Sequence, residues 1–381
     1  MAKGKTRGVS DTNEGRSRRQ FLKTATAASA GGAAVLGMPN VIRAQDAIVL
    51  KFQSTWPQKD IFHEYAQDYV TRVNEMSGGR LRLDLLAAGA VVGALQMQDA
   101  VIAGALDGGH GVTAYWYGKH KAYSLFGTPP AFGWNANQML GWIRYGGGQE
   151  LYDELVQQVL GLDLVGFFTG PMPTQPLGWF QQPIESADGL KNLKYRTVGL
   201  SADLNNELGA AVTIMGGGDI VPAMDRGLLD AAEFNNPSSD KVLGFPDVSK
   251  VYMLQSYHQA AECFEIIFNK TKYEGLPEDL RAILKYAAEA SSADMSWKAM
   301  DRYSKDLEDM RANQGVKTYT TPESVLQAQL AAWDKVIEAS SSEAFFAKVI
   351  DSQKAWVKRV VGFQLEYDVP QAPAFNHFFG A

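Results

Sequence analysis

Short apolar runs alternate with segments of helical period along much of this chain, and that alternation admits little besides an α/β fold. Ile48–Phe52, Leu81–Leu86, Leu162–Thr169, Leu193–Val198 and Val212–Met215 read as strands. Between them Asp60–Met76 carries Ile61, Tyr65, Tyr69 and Val73 on one helical face, stopped by Ser77-Gly78-Gly79. Leu95–Leu106, Ser201–Gly209 and Ile220–Leu229 read as further helices. Two helix ends echo each other. Gly104-Ala105-Leu106-Asp107 and Gly227-Leu228-Leu229-Asp230 each place a glycine where a left-handed residue closes a helix, ahead of a small-residue strand. Such an echo fits two lobes of similar build. After Leu276-Pro277-Glu278 the pattern is helical, with Asp279–Arg311 as one long helix, then Pro322–Ala339 and Ser342–Val360. Residues 367–381, rich in Pro, Phe and Asn, read as an irregular strap.

The N-terminal segment is of another kind. Ser17-Arg18-Arg19-Gln20-Phe21-Leu22-Lys23 precedes a weakly apolar, Gly- and Ala-rich run to Met38 and a short stretch ending at Ala44. Basic region, apolar region and cleavage site follow in that order. The apolar run is about 15 residues, short of the roughly 20 that span a bilayer. Residues 1–44 resemble a twin-arginine export signal, with cleavage expected after Ala44 and a periplasmic destination. The remaining chain is longer than one core usually serves, so two lobes are expected.

Charge narrows the partners. The chain has 36 Lys+Arg and 42 Asp+Glu, a net charge of −6. Residues 1–44 hold eight of the former and two of the latter, leaving 28 against 40, or −12, on the body. An acidic body argues against nucleic acid or an anionic membrane as partner. Cys263 is the only cysteine, so no intramolecular disulfide forms, and its apolar context reads as a buried, inert thiol.

Catalytic motifs are missing: no Gly-x-Ser-x-Gly, no phosphate-binding Gly-x-x-x-x-Gly-Lys, no His-Glu-x-x-His and no Cys-x-x-Cys. The five histidines show no metal spacing. Three segments put polar residues where strands end. Gln175 lies in Pro173-Thr174-Gln175-Pro176, which is either a plain crossover or a fixed carbonyl ligand. Arg196 closes the Leu193–Val198 strand, where a guanidinium fork either pairs on the surface or matches a carboxylate. Glu233 leaves a small-residue strand in Asp230-Ala231-Ala232-Glu233-Phe234-Asn235-Asn236-Pro237, and a half-buried acid needs a base or a cation.

The arginine-bearing strand and this last corner resemble the most characteristic segments of the DctP-like solute-binding proteins of tripartite ATP-independent periplasmic (TRAP) transporters. Ser54-Thr55-Trp56-Pro57, Tyr115-Trp116-Tyr117-Gly118-Lys119, the Gln175 loop and the helical C-terminal extension are similar to the subgroup that binds 2-oxo and 2-hydroxy acids with a metal ion. The resemblance implies a two-lobed periplasmic-binding-protein fold with a ligand cleft between the lobes. It implies lobes at 45–170 plus about 257–300 and at 171–256 plus about 301–320, with a helical extension over 321–381 that joins a helix-swapped homodimer. By the same resemblance Arg196 clamps the ligand carboxylate, Gln175, Glu233 and the Phe234 carbonyl hold a calcium or sodium ion, and Trp56, Phe62, Tyr115, His258 and Asn235 line the site. Two departures are visible: Phe234 stands where Trp is usual, and Gln255-Ser256-Tyr257-His258-Gln259 replaces a Pro-Gly-Trp-His type stretch. The implied activity is binding and delivery to membrane permease subunits, not catalysis, and Arg196→Ala is expected to abolish binding while sparing the fold. Two alternatives stand beside it: a metal-free member that binds a sugar acid or an aromatic acid, and an exported hydrolase or lyase acting on a carboxylate.

Overall fold

The computed structural model describes residues 47–380, so the export signal read at 1–44 lies outside the described residues. Two mixed sheets organise them. The first has five strands: β1 (Ile48–Ser54), β2 (Leu81–Leu86), β3 (Gly108–Gly111), β4 (Leu164–Met172) and β10 (Glu262–Asn269), in the order β2-β1-β3-β10-β4. β1 is parallel to β2 and β3, whereas β10 is antiparallel to both its neighbours. The second has six: β5 (Gly178–Phe180), β6 (Lys194–Arg196), β7 (Ala211–Thr213), β8 (Ala231–Ala232), β9 (Val251–Leu254) and β11 (Lys317–Thr320), in the order β11-β9-β5-β8-β6-β7.

Local chemistry explains the elements. Helix α1 (Ile61–Met76) starts because the Asp60 carboxylate accepts the Phe62 N–H at 3.1 Å, and it stops at Ser77 before two left-handed glycines. Ile61, Tyr65, Tyr69 and Val73 are all buried. Tyr69 and Val73 pack with Leu50, Phe52, Leu81 and Leu83 of the first sheet, each large side chain contributing roughly 1.5–3 kcal/mol. The helix expected over 95–106 is shorter: a 3₁₀ turn precedes α2 (Met97–Ile102), and Gly104, at φ 74°, ends it early.

The two echoed corners have the same geometry. Gly104 and Gly227 both have left-handed φ, 74° and 69°. Asp107 N–H donates to Lys51 O at 2.9 Å while its carboxylate accepts Lys51 N–H at 2.8 Å. Asp230 repeats this on Lys194, at 2.9 and 3.0 Å. Each aspartate therefore clasps the backbone of a neighbouring strand on both sides.

Helix α3 (Ala136–Tyr145) packs on β4 of the first sheet, while α4 (Leu200–Glu207) and α5 (Gly217–Asp225) pack on strands of the second, followed by α6 (Pro237–Leu243). The long helix α7 (Glu278–Asn313) runs across both sheets' territory. Its Lys298 pairs with Glu64 and Asp68 of α1, and its Asp306 accepts from Ser238 and Lys241 of α6 at 2.6 and 2.8 Å. Helices α8 (Glu323–Ser340) and α9 (Ala344–Tyr367) then return over the body. Trp333 Nε1 of α8 donates to Tyr257 O at 2.7 Å, and Trp356 Nε1 of α9 to Gln138 O at 3.0 Å.

The irregular strap expected over 367–381 is instead a short helix, α10 (Gln371–Phe379), and it is exposed rather than laid on the body. Pro370 and Pro373 sit at its start, where missing N–H groups cost nothing, so they begin a helix and do not break one. No helix among the described residues is long and apolar enough to cross a membrane.

Candidate functional site

The site forms where the ends of strands from both sheets converge, the usual place for a ligand in open α/β sheets. Arg196 is the last residue of β6, Glu233 follows β8, Gln175 lies between β4 and β5, and Glu262 opens β10. Trp56 follows β1 and Tyr115 lies in a 3₁₀ turn after β3. A cavity of about 10 Å³ remains between them, bounded by Trp56, Phe62, Tyr115, Gln175, Arg196 and Phe234, with Asn235, Gln259 and Glu262 completing the polar wall. That volume is on the scale of a single water, so the cleft is closed. Bonds between elements of the two sheets hold it so: Ser239 Oγ donates to Asp60 at 2.6 Å, and Asp203 accepts from Tyr117 at 2.8 Å and Lys121 at 2.9 Å.

Arg196 is 1 % exposed and nearly saturated. Its Nε and Nη2 donate to Met215 O at 3.0 and 2.8 Å, and Nη1 donates to Glu233 O at 2.9 Å and Glu233 Oε1 at 3.0 Å. Four bonds from five N–H groups leave one donor for a ligand. The bidentate clamp expected from sequence is thus incomplete in this conformation, because Glu233 occupies part of the fork. Burial pushes the Glu233 carboxyl up to about 7, with the Arg196 charge and the neighbouring Thr197 hydroxyl pulling it down; the hydroxyl lies outside hydrogen-bond geometry, so Oε2 stays unpaired.

The buried side-chain oxygens without a hydrogen-bond partner among the described residues include Gln175 Oε1, Glu233 Oε2 and Gln259 Oε1. Glu262 explains the orientation of Gln175. Its Oε2 accepts Gln175 Nε2 at 2.9 Å and Asn235 Nδ2, so the Gln175 carbonyl must turn the other way. Burial raises the Glu262 carboxyl to about 7 against those two bonds. Sequence reasoning missed Glu262; an acid opening a strand of fully buried residues, with no base nearby in sequence, is the signal that marks it.

The aromatic wall is continuous. Trp56 packs edge-on to Phe62 at 4.8 Å and lies 5.8 Å from Tyr115, and Phe234 lies 5.7 Å from Phe62 and 5.9 Å beneath the Arg196 guanidinium. Of the residues expected from sequence, His258 and Glu233 are the two that do not line the cavity; Glu233 lies behind it on Arg196, and His258 is engaged elsewhere. Its Nδ1 meets Ser256 Oγ at 2.6 Å, and burial together with the Arg196 charge lowers it to about 3, so it is neutral. Its neighbour Gln259 reaches the cavity instead. Among the described residues no three His, Cys, Asp or Glu side chains cluster as a metal site, so any cation here depends on amide and backbone oxygens as well.

Known proteins share this fold. The family model described as bacterial extracellular solute-binding protein, family 7 (DctP), matches residues 52–344. A monocarboxylate 2-oxoacid-binding periplasmic protein of Nostoc sp. is 30% identical over 355 residues, covering 90% of this chain and 94% of that protein. Among solved structures, a TRAP periplasmic solute-binding protein of Colwellia psychrerythraea with bound calcium and pyruvate superposes with TM-score 0.80 at 28% identity, over 87% of this chain and 99% of that one. Another, of Pseudoalteromonas atlantica with bound sodium and pyruvate, gives TM-score 0.80 at 29% identity, over 86% and 98%. The protein belongs to the DctP family of bacterial extracellular solute-binding proteins, the solute-binding proteins of TRAP transporters.

Proposed function

We propose that this protein captures a small 2-oxo or 2-hydroxy monocarboxylate together with a calcium or sodium ion, in a cleft between lobes at 45–170 plus about 257–300 and 171–256 plus about 301–320, and passes it unchanged to membrane permease subunits. One observation carries the reading: Gln175 Oε1 and Glu233 Oε2 are buried acceptors without donors, beside a buried guanidinium. Hard oxygens left unpaired in a dry site suit a hard cation such as calcium or sodium, with the Phe234 carbonyl as the adjoining backbone ligand. When the Glu233 carboxylate turns to the cation it releases Arg196 Nη1. The guanidinium then has two N–H groups for the ligand carboxylate, and the clamp is completed by the same event that fills the cation site. Pyruvate and calcium or sodium in the Colwellia and Pseudoalteromonas proteins support the choice of ligand and ion.

Calorimetry with pyruvate before and after chelation and exhaustive desalting into calcium- and sodium-free buffer tests this. Affinity is expected to fall by about tenfold or more in metal-free buffer, since chelation leaves a buried carboxylate facing another anion. Unchanged affinity removes the cation from the reading. Pyruvate recovered unaltered after long incubation separates a receptor from a hydrolase or lyase.

The C-terminal extension supports a homodimer. Leu365, Tyr367, Phe378 and Phe379 are 73–82 % exposed on α9 and α10, a large apolar surface for helices that leave the body. A second copy covering them is expected to give dimer mass by light scattering, and deletion of residues 363–381 is expected to give a monomer. A full-length chain of monomer mass ends this part of the reading.

A further inference from the structure

Three amide side chains line the cavity: Gln175, Asn235 and Gln259. Glu262 fixes the first two, because an acceptor-only carboxylate holds their NH₂ ends. Asn235 Oδ1 is further engaged by Asn236 Nδ2 at 3.0 Å. Gln259 is different. It is fully buried, yet neither its Nε2 nor its Oε1 has a partner among the described residues. It sits on the chain crossing from β9 to β10, and its backbone carbonyl accepts the Gln175 N–H at 3.1 Å, which ties it to the cation-facing loop. A buried amide with both ends free is uncommon, because each unmade bond leaves a desolvated polar atom uncompensated.

Building on the carboxylate-and-cation reading above, we propose that the Gln259 amide contacts the 2-oxygen of the ligand and lets the site accept that oxygen as either a carbonyl or a hydroxyl. A carbonyl oxygen beside the cation keeps a lone pair, which takes an N–H from Gln259 Nε2. A hydroxyl in the same place keeps its hydrogen, which goes to Gln259 Oε1. A half-turn of the amide exchanges the two ends, which are nearly equal in size. Gln175 and Asn235 lack that freedom, so Gln259 alone among the three adapts to the oxidation state of the ligand.

The test is the ratio of pyruvate to L-lactate affinities, measured by calorimetry in calcium buffer from pH 6 to pH 9. The ratio cancels effects of a substitution on folding or on carboxylate binding in general. The wild-type ratio is expected to stay within about tenfold of one, because either acid makes the same number of bonds. Gln259→Glu accepts but cannot donate once ionised, so its ratio is expected to move toward lactate by about tenfold as pH rises. Gln259→Leu is expected to weaken both acids alike. A Gln259→Glu ratio that follows wild type at every pH, or wild-type affinities in Gln259→Leu, overturns the assignment. If wild-type protein binds neither acid, the carboxylate reading itself fails.

Discussion

Arg196→Ala is expected to weaken carboxylate binding by about 100-fold or more, the loss of one or two charge-assisted hydrogen bonds from a dry site. Contrary to the expectation from sequence, it will not spare the fold. Arg196 is buried, and its removal leaves Glu233 without a counter-charge and strips donors from Met215 O and Glu233 O. Breaking a buried pair by removing one partner costs roughly 3–5 kcal/mol. Melting temperature and affinity should therefore fall together in ligand-free and ligand-bound protein. Arg196→Lys, which keeps the charge but not the fork, is expected to recover part of the stability and little of the affinity. Near wild-type affinity in Arg196→Ala would sink the assignment of this site.

The second large effect is on pH. Burial pushes the carboxyls of Asp60, Asp240, Glu262 and Glu265 up to about 7, and none of them is hydrogen-bonded to a cationic side chain. In the unfolded chain they titrate near 3.8 for Asp and 4.5 for Glu. Between those values and about 7 these carboxyls hold more protons folded than unfolded, so their contribution to stability falls as pH rises through that window. Buried His110 and His258, lowered to about 3, take up protons only on unfolding and oppose this in part below about 6.5. Chelated, ligand-free protein is expected to melt several degrees higher at pH 5 than at pH 8. Calcium should act in the opposite sense. It requires ionised ligands, so its stabilising effect should be large at pH 8 and vanish at pH 5. Thermal melts at both pH values, with calcium and with chelator, check both statements; a chelated protein whose melting temperature rises from pH 5 to pH 8 contradicts the first.

The sequence showed most clearly what is encoded locally. Helix α1 carries its own cap, periodic face and stop, and α7 lacks breakers, so both were legible to within a few residues. Arg196, Gln175 and Glu233 stood out because each follows or ends a strand, and the structure brings all three together. Glu262 and Gln259 did not. The partners of Glu262 are Gln175 and Asn235, 87 and 27 residues away, and nothing beside it in the chain announces them. Gln259 carries no mark of its own within Gln255-Ser256-Tyr257-His258-Gln259, since its two unpaired ends become visible only once burial is known. The tail departs from the expected strap because Pro370 stands at the N-cap and Pro373 in the first turn, where a missing N–H starts a helix and does not break it.

Helix α7 has a mechanical consequence. Its 36 residues span about 54 Å, and it is pinned at Lys298 to one half of the molecule and at Asp306 to the other. Any opening of the cleft has to flex this rod or shift one set of ion pairs along it. The two halves are therefore not free to swivel like beads on a string. The two pins lie eight residues, about 12 Å, apart, so the strain of opening falls on that short stretch of helix or on the ion pairs at its ends.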